Sequence, residues 1–222
     1  MDKTKDLIVE IEEKYGEECF GDFCNINSNI KSTRRPQGHV EIYELNESGE
    51  KQLVGKSNLV VYTGRELVGV RLIGANVTEI TPTKDEYISW LGLGSGGVSV
   101  GDPFTAISPT SSDTDLATEI PISATDTDCA DLHDGAYYKC PLDSLEIEQD
   151  SYNDDRWLVL KSITTIDVGY ANGYQISEAG LFTSESVTPG YAGPFNLFAR
   201  VTFESIIKVT SRRLILIWYI YV

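Results

Sequence analysis

The hydrophobic pattern of this chain is strongest at residues 213–222, which read R-L-I-L-I-W-Y-I-Y-V. Side chains of an extended strand alternate between two faces, and both faces of this segment are apolar. The run is too short for a membrane-spanning helix, which needs roughly 20 residues, and its β-branched and aromatic residues favour a strand. We therefore expect a strand that is covered on both sides, either in the centre of a sandwich or partly by another chain.

Alternating patterns elsewhere predict further strands. Residues 39–45 and 52–62 are extended runs separated by turn residues at 46–50, a pattern typical of a β-hairpin. Four other segments have the composition of strands: 87–93, 156–168, 174–182 and 195–203. With the final segment, this gives about seven strands.

Two short helices are predicted. Leu7, Ile8, Ile11 and Tyr15 recur at helical spacing, which predicts a helix in an N-terminal arm. Thr63 lies three residues before Glu66, as in a capping box, and predicts a short, mostly buried helix over residues 64–73 that ends at Gly74.

The predicted fold class is therefore mainly β: an antiparallel β-sandwich with a short N-terminal helix or arm and one short inserted helix. We expect residues 1–37 to form the arm and residues 38–222 to form a single β-sandwich domain. Residues 94–155 would supply a long loop, rich in Gly, Ser, Pro and Thr at its start, and an acidic insertion.

The net charge of −16 makes nucleic acid and anionic membranes unfavourable partners. Residues 111–155 hold thirteen acidic residues against one lysine, so they carry −12 of this charge. The first twenty residues lack the pattern of a secretory signal, and we expect synthesis in the cytoplasm.

Candidate metal ligands cluster in the same acidic region. Cys129, His133 and Cys140 could bind zinc, although their spacing fits no standard module, and a Cys129–Cys140 disulfide or free thiols are alternatives. A calcium site or a solvated acidic surface could be formed by Asp126, Asp128, Asp131 and Asp134. We predict no cofactor and no metal.

Signals for catalysis are weak. Gly92, Gly94 and Gly97 have the spacing of a dinucleotide-binding loop, but Pro103 and the neighbouring glycines make the required helix improbable, so a strand-exit turn is expected. His39 lies within a predicted strand without a nucleophile motif nearby. The sequence therefore predicts a protein that is not an enzyme.

Four segments together resemble structural proteins of tailed-bacteriophage virions. They are N-L-V-V-Y-T-G-R-E-L (residues 58–67), I-S-W-L-G-L-G-S-G (88–96), I-S-E-A-G-L-F (176–182), and F-A-R-V-T-F (198–203) followed by the final strand. The resemblance implies a β-sandwich that is located in the virion, with other copies of itself and other virion proteins as partners. Its implied role is subunit contacts in the tail, neck or baseplate, with capsid decoration as an alternative.

The final strand supplies a candidate interface. Leu214, Leu216, Trp218 and Ile220 would face the core, while a neighbouring subunit would cover Ile215, Ile217, Tyr219 and Tyr221. A strand buried on both faces within the chain is equally permitted.

A carbohydrate-binding β-sandwich module is the alternative from another class, with a host glycan as the ligand. Aromatic side chains would then stack on sugar rings, and the candidates are Trp90, Trp157, Tyr137, Tyr138, Tyr170 and Tyr191.

Overall fold

One large antiparallel sheet dominates the chain. The computed structural model describes residues 37–45, 51–74, 76–78, 80–121, 139–150, 157–187 and 193–221. Nine strands form the large sheet and two form a small second sheet. The predicted fold class, a mainly β and sandwich-like protein with one inserted helix, is confirmed in these residues.

The described elements follow one another along the chain as eleven strands and one helix. They are β1 (Gln37–Leu45), β2 (Lys51–Val60), α1 (Tyr62–Ile73), β3 (Tyr87–Gly94), β4 (Val98–Ser99), β5 (Asp102–Ala106), β6 (Lys139–Pro141), β7 (Ser144–Asp150), β8 (Trp157–Ile166), β9 (Gln175–Ser184), β10 (Asn196–Ile207) and β11 (Arg213–Tyr221).

The order of strands in the large sheet is β6-β3-β9-β10-β2-β1-β11-β8-β7. The predicted hairpin is confirmed as the antiparallel pair of β1 and β2. The apolar final segment forms β11, which lies between β1 and β8 and is therefore a central strand, as its pattern predicts. The two-stranded sheet consists of β4 and β5.

The main core lies on one face of the sheet. Trp218 pairs with Val40, and Leu216 with Ile42, so β1 and β11 share this face. Side chains from β3, β9, β10 and α1 complete the same cluster, in which Phe198 and Trp218 are among the largest fully buried groups. A second, smaller cluster covers the opposite face at β3, β9 and β10 and contains Val61, Trp90, Leu116, Phe182 and Leu197.

The inserted helix begins earlier and is less buried than predicted. Helix α1 starts at Tyr62 after Val61, which makes no side-chain cap, so Thr63 is not the N-cap residue. Gly74 ends the helix with a left-handed φ of 66°, as predicted. Gly64, Leu67 and Val70 are buried against the sheet, whereas Leu72 and Ile73 are exposed.

Strands β4 to β7 lie in residues that the sequence pattern assigned to a loop and an acidic insertion. β4 and β6 contain only two and three residues, too few for a periodic signal. β7 alternates Leu145 and Ile147 with glutamates, but the acidic composition around it masked this pattern.

Several predictions fall outside the described residues. They include the N-terminal helix, residues 1–36 of the predicted arm, and the four aspartates between 126 and 134. The division into an arm and a single domain stays a prediction.

We expect Trp218→Ala to lower the free energy of unfolding by about 3–5 kcal/mol, because the side chain is fully buried in the main core. Urea denaturation of the full chain measures this change. Leu72→Ala is the matched control, since this side chain is 82% exposed, and we expect it to change stability by less than about 0.5 kcal/mol. Equal costs for the two variants would contradict the central position of β11.

Candidate functional site

The most distinctive surface feature is a long loop, residues 94–120, which we call the contact loop. It contains β4 and β5 and displays exposed apolar side chains: Val100 at the tip is fully exposed and Phe104 on β5 is 74% exposed, while Ile107, closer to the sheet, is 47% exposed. Large apolar side chains that a loop exposes to solvent can mark contact sites on proteins. The contact loop is therefore a candidate interaction surface.

The tip has a defined local structure. Gly101 has a φ of 82°, a left-handed conformation that glycine adopts without strain, and it turns the chain between β4 and β5. Asp102 accepts hydrogen bonds from the Phe104 N–H at 3.0 Å and the Thr105 hydroxyl at 2.7 Å. These bonds lower the pKa of Asp102. They also fix the backbone that carries Phe104.

The base of the contact loop is held by a buried carboxylate. Glu178 on β9 is fully buried. Its two oxygens accept backbone N–H bonds from Gly96 at 2.9 Å, Thr118 at 2.9 Å and Ala117 at 3.1 Å. One side chain thus binds both ends of the contact loop.

Arg200 on β10 supplies the compensating charge. Its Nε and one terminal nitrogen donate to Glu178 Oε2 at 2.9 and 2.5 Å, and the other terminal nitrogen donates to Asp113 Oδ2 at 2.5 Å. Burial alone would lower the pKa of Arg200, but the bonds and charges of Asp113 and Glu178 outweigh it and raise that pKa. We call Glu178, Arg200 and Asp113 the loop clamp.

Further bonds tie the contact loop to β9 and β10. The Gly97 N–H donates to Ser177 Oγ at 3.0 Å, and the Thr202 hydroxyl donates to the Ile107 carbonyl at 2.6 Å. A Cβ at Gly97 would overlap the Ser177 carbonyl oxygen, so the close approach of the loop to β9 requires glycine here.

The segments on which a phage resemblance is predicted lie next to one another here, apart from the final strand, which lies between β1 and β8. The second segment supplies the Gly96 N–H, the third supplies Glu178 and the fourth supplies Arg200. The first packs beside them: the Val61 N–H donates to the Phe198 carbonyl at 3.1 Å, and the Tyr62 N–H donates to the Ser111 carbonyl at 2.8 Å. The segments therefore form one buried framework that supports the contact loop.

The candidate interface on β11 is partly enclosed by the chain itself. Ile215 and Ile217 are fully buried, whereas Tyr219 and Tyr221 are half-buried. Of these four residues, only Tyr219 and Tyr221 have exposed surface that another subunit could cover. The assignment of these four residues to an interface stays a prediction.

Few of the candidate ligand residues for a metal or sugar site lie among the described side chains. Cys140 is buried, with its Sγ 3.9 Å from the Leu91 carbonyl, but Cys129 and His133 lie outside the described residues. No group of metal-binding side chains occurs among the residues that the structure describes. Trp90 is fully buried and donates to Ser184 and to the Ser186 carbonyl, so it cannot stack on a sugar.

Tyr170 is half-buried. The other aromatic candidates have no described side chains: Tyr137, Tyr138, Trp157 and Tyr191.

Other buried ionic groups also have structural roles. Glu86 accepts bonds from Thr83, Thr183 and Asn196, and Lys139 pairs with Glu119 beside the Phe182 ring.

Lys208 is fully buried, and burial lowers its pKa from 10.5 to about 8, against the opposing charges of Asp167 and Glu44. A perturbed lysine often marks a reactive site. Here it donates to Asn172 and to the Val209 carbonyl at 3.2 Å, with no exposed surface for a substrate.

The glycine spacing at Gly92, Gly94 and Gly97 belongs to a strand exit, as predicted. Gly92 and Gly94 lie in β3 and Gly97 directly precedes β4, so a strand rather than a helix follows the glycines.

Comparison with family models, curated proteins and solved structures found no match to this chain. Among the described residues, no helix is long and apolar enough to cross a membrane.

We expect Glu178→Gln to lower the free energy of unfolding by about 3–5 kcal/mol, because Arg200 would remain buried with Asp113 as its one charged partner instead of two. Chemical denaturation measures the loss. Glu204→Gln is the control, since Glu204 lies on β10 and is exposed, and its effect should be below about 0.5 kcal/mol. A cost for Glu178→Gln as small as that of the control would show that the loop clamp does not stabilise the fold.

Because of Lys208, we expect the free energy of unfolding to rise with pH. Its pKa is lower in the folded state, so the folded protein binds fewer protons than the unfolded chain between about pH 8 and 10.5. The cost of burying the charge is fully present below about pH 8 and decreases above it. We expect a gain of about 1–2 kcal/mol across this window.

Urea titrations from pH 7 to the upper part of that window measure the gain. Lys208→Met should remove it, and an unchanged pH dependence in this variant would exclude Lys208 as its source.

Proposed function

We propose that this chain is a non-enzymatic structural protein of a tailed-bacteriophage virion. In this role it contributes subunit contacts in the tail, neck or baseplate. The observation that carries the proposal is the contact loop, an exposed apolar tip on a base fixed by buried charges. Residues 58–67, 88–96, 176–182 and 198–203, whose resemblance to phage structural proteins is part of the proposal, build that base.

A fixed apolar loop suits assembly. Association costs free energy wherever side chains and loops must become ordered, and a loop that is already held avoids much of this cost. Val100 and Phe104 then have their apolar surface available for a neighbouring subunit. The high negative charge keeps such a protein soluble before it assembles.

The arrangement of the buried ionic groups favours a structural role over catalysis. Glu178, Arg200, Glu86 and Lys208 are bonded to protein groups and are closed to solvent. Catalytic groups, by contrast, must reach a substrate. These four ionic groups therefore serve stability.

The copy number of this chain in purified particles of the phage that encodes it tests the proposal. We expect quantitative mass spectrometry, calibrated against the major capsid protein, to find on the order of ten copies, as for a symmetric ring. A count in the hundreds would instead indicate capsid decoration. Absence from the particle would refute the structural role.

Phe104→Asp tests the contact loop itself. The side chain is 74% exposed, so we expect a change in stability of less than about 0.5 kcal/mol together with loss of the chain from particles in a complementation assay. Leu72→Asp, which changes an equally apolar exposed residue on α1, should still be incorporated. Normal incorporation of Phe104→Asp would show that the tip is not the contact.

A further inference from the structure

Strand β7 ends the large sheet among the described strands. It pairs with β8 from Ser144 to Asp150, and no described strand lies on its other side. Such an edge presents backbone N–H and C=O groups that can pair with another chain.

The main core face continues onto this edge. Leu145 and Ile147 pair with Ser162 and Leu160, which in turn pair with residues on the core face of β11. On β7, however, the core face is open to solvent, because Leu145 is 41% exposed and Ile147 is 68% exposed. An added strand would extend the sheet and cover these two side chains.

The opposite face of β7 is acidic. Glu146 and Glu148 are exposed, and Glu148 Oε1 lies 3.4 Å from Lys161 Nζ while 47% of the Glu148 side chain remains accessible. The edge therefore alternates apolar and acidic side chains. Its complement is a strand that alternates apolar and basic side chains, since opposite charges on facing strands stabilise their pairing.

This charge pattern disfavours a second copy as the occupant. The antiparallel register that sets Leu145 opposite Ile147 of a second copy also sets Glu146 opposite Glu146 of that copy. Like charges directly opposite each other are destabilising, and a net charge of −16 adds repulsion between whole chains.

We propose that β7 is a docking edge for an extended segment of another protein in which Lys or Arg alternates with apolar residues. The partner segment adds a strand to the sheet by main-chain hydrogen bonds, its apolar side chains cover Leu145 and Ile147, and its basic side chains pair with Glu146 and Glu148. The inference stands on β7 alone and goes beyond the proposed virion role, so either can fail without the other.

A peptide titration tests this edge on the full chain. The probe is a fluorescent peptide of alternating valine and lysine that matches the seven residues of β7. We expect saturable binding by anisotropy that weakens with added salt, together with slower hydrogen exchange of the β7 amides that point away from β8. A control peptide of alternating valine and glutamate should bind at least about tenfold more weakly.

Two matched variants distinguish binding of the peptide at the β7 edge from attraction of the peptide to the net negative charge of the protein. Ile147→Lys should weaken binding of the basic peptide at least about tenfold. Leu72→Lys adds the same charge at the exposed end of α1 and should leave binding within about twofold.

Three results would overturn the proposal. If Ile147→Lys and Leu72→Lys weakened peptide binding equally, the peptide would be attracted by the net charge of the protein alone. Dimerisation of the wild-type chain that Ile147→Lys abolishes would assign the edge to a second copy. Slow exchange, without peptide, of the β7 amides that point away from β8, together with no peptide binding, would show that the edge is already occupied by the chain itself.

Discussion

The pairing of Glu178 with Arg200 is the constraint on which the surface architecture depends. Both residues lie on strands whose two faces are covered, where an unpaired charge would be very costly. Arg200 does not occupy every acceptor position of the Glu178 carboxylate. The backbone N–H groups of Gly96, Ala117 and Thr118 donate to the remaining positions. The path of the contact loop is thus set by the hydrogen-bonding needs of one buried carboxylate.

This arrangement gives the two faces of the sheet different roles. The main core face carries the larger apolar cluster and supplies most of the hydrophobic stabilisation. The opposite face of β3, β9 and β10 combines a small apolar cluster with directional polar contacts. Apolar packing tolerates small shifts, whereas hydrogen bonds to charged groups specify a geometry. The mixed face is therefore suited to holding a loop in one conformation.

Periodicity predicted the long strands well because their signals are local. The apolar run of β11 and the hairpin of β1 and β2 were predicted from neighbouring residues alone. The loop clamp was missed because Arg200 lies 22 residues from Glu178 and 87 from Asp113, distances that no short pattern spans. A usable signal is present: Glu178 and Arg200 each interrupt a run of mostly apolar residues, and such charges require partners.

The position of β11 between β1 and β8 bears on the synthesis of the chain. A ribosome completes the residues of β1 and β8 before those of β11, which follows both in sequence. Until then the two parts of the sheet have no strand to join them, and β1 and β8 expose unpaired edges whose core faces carry groups such as Val40 and Ile166. Exposed edges of this kind invite aggregation. The nascent polypeptide therefore has a vulnerable interval in which binding of a chaperone would be most beneficial.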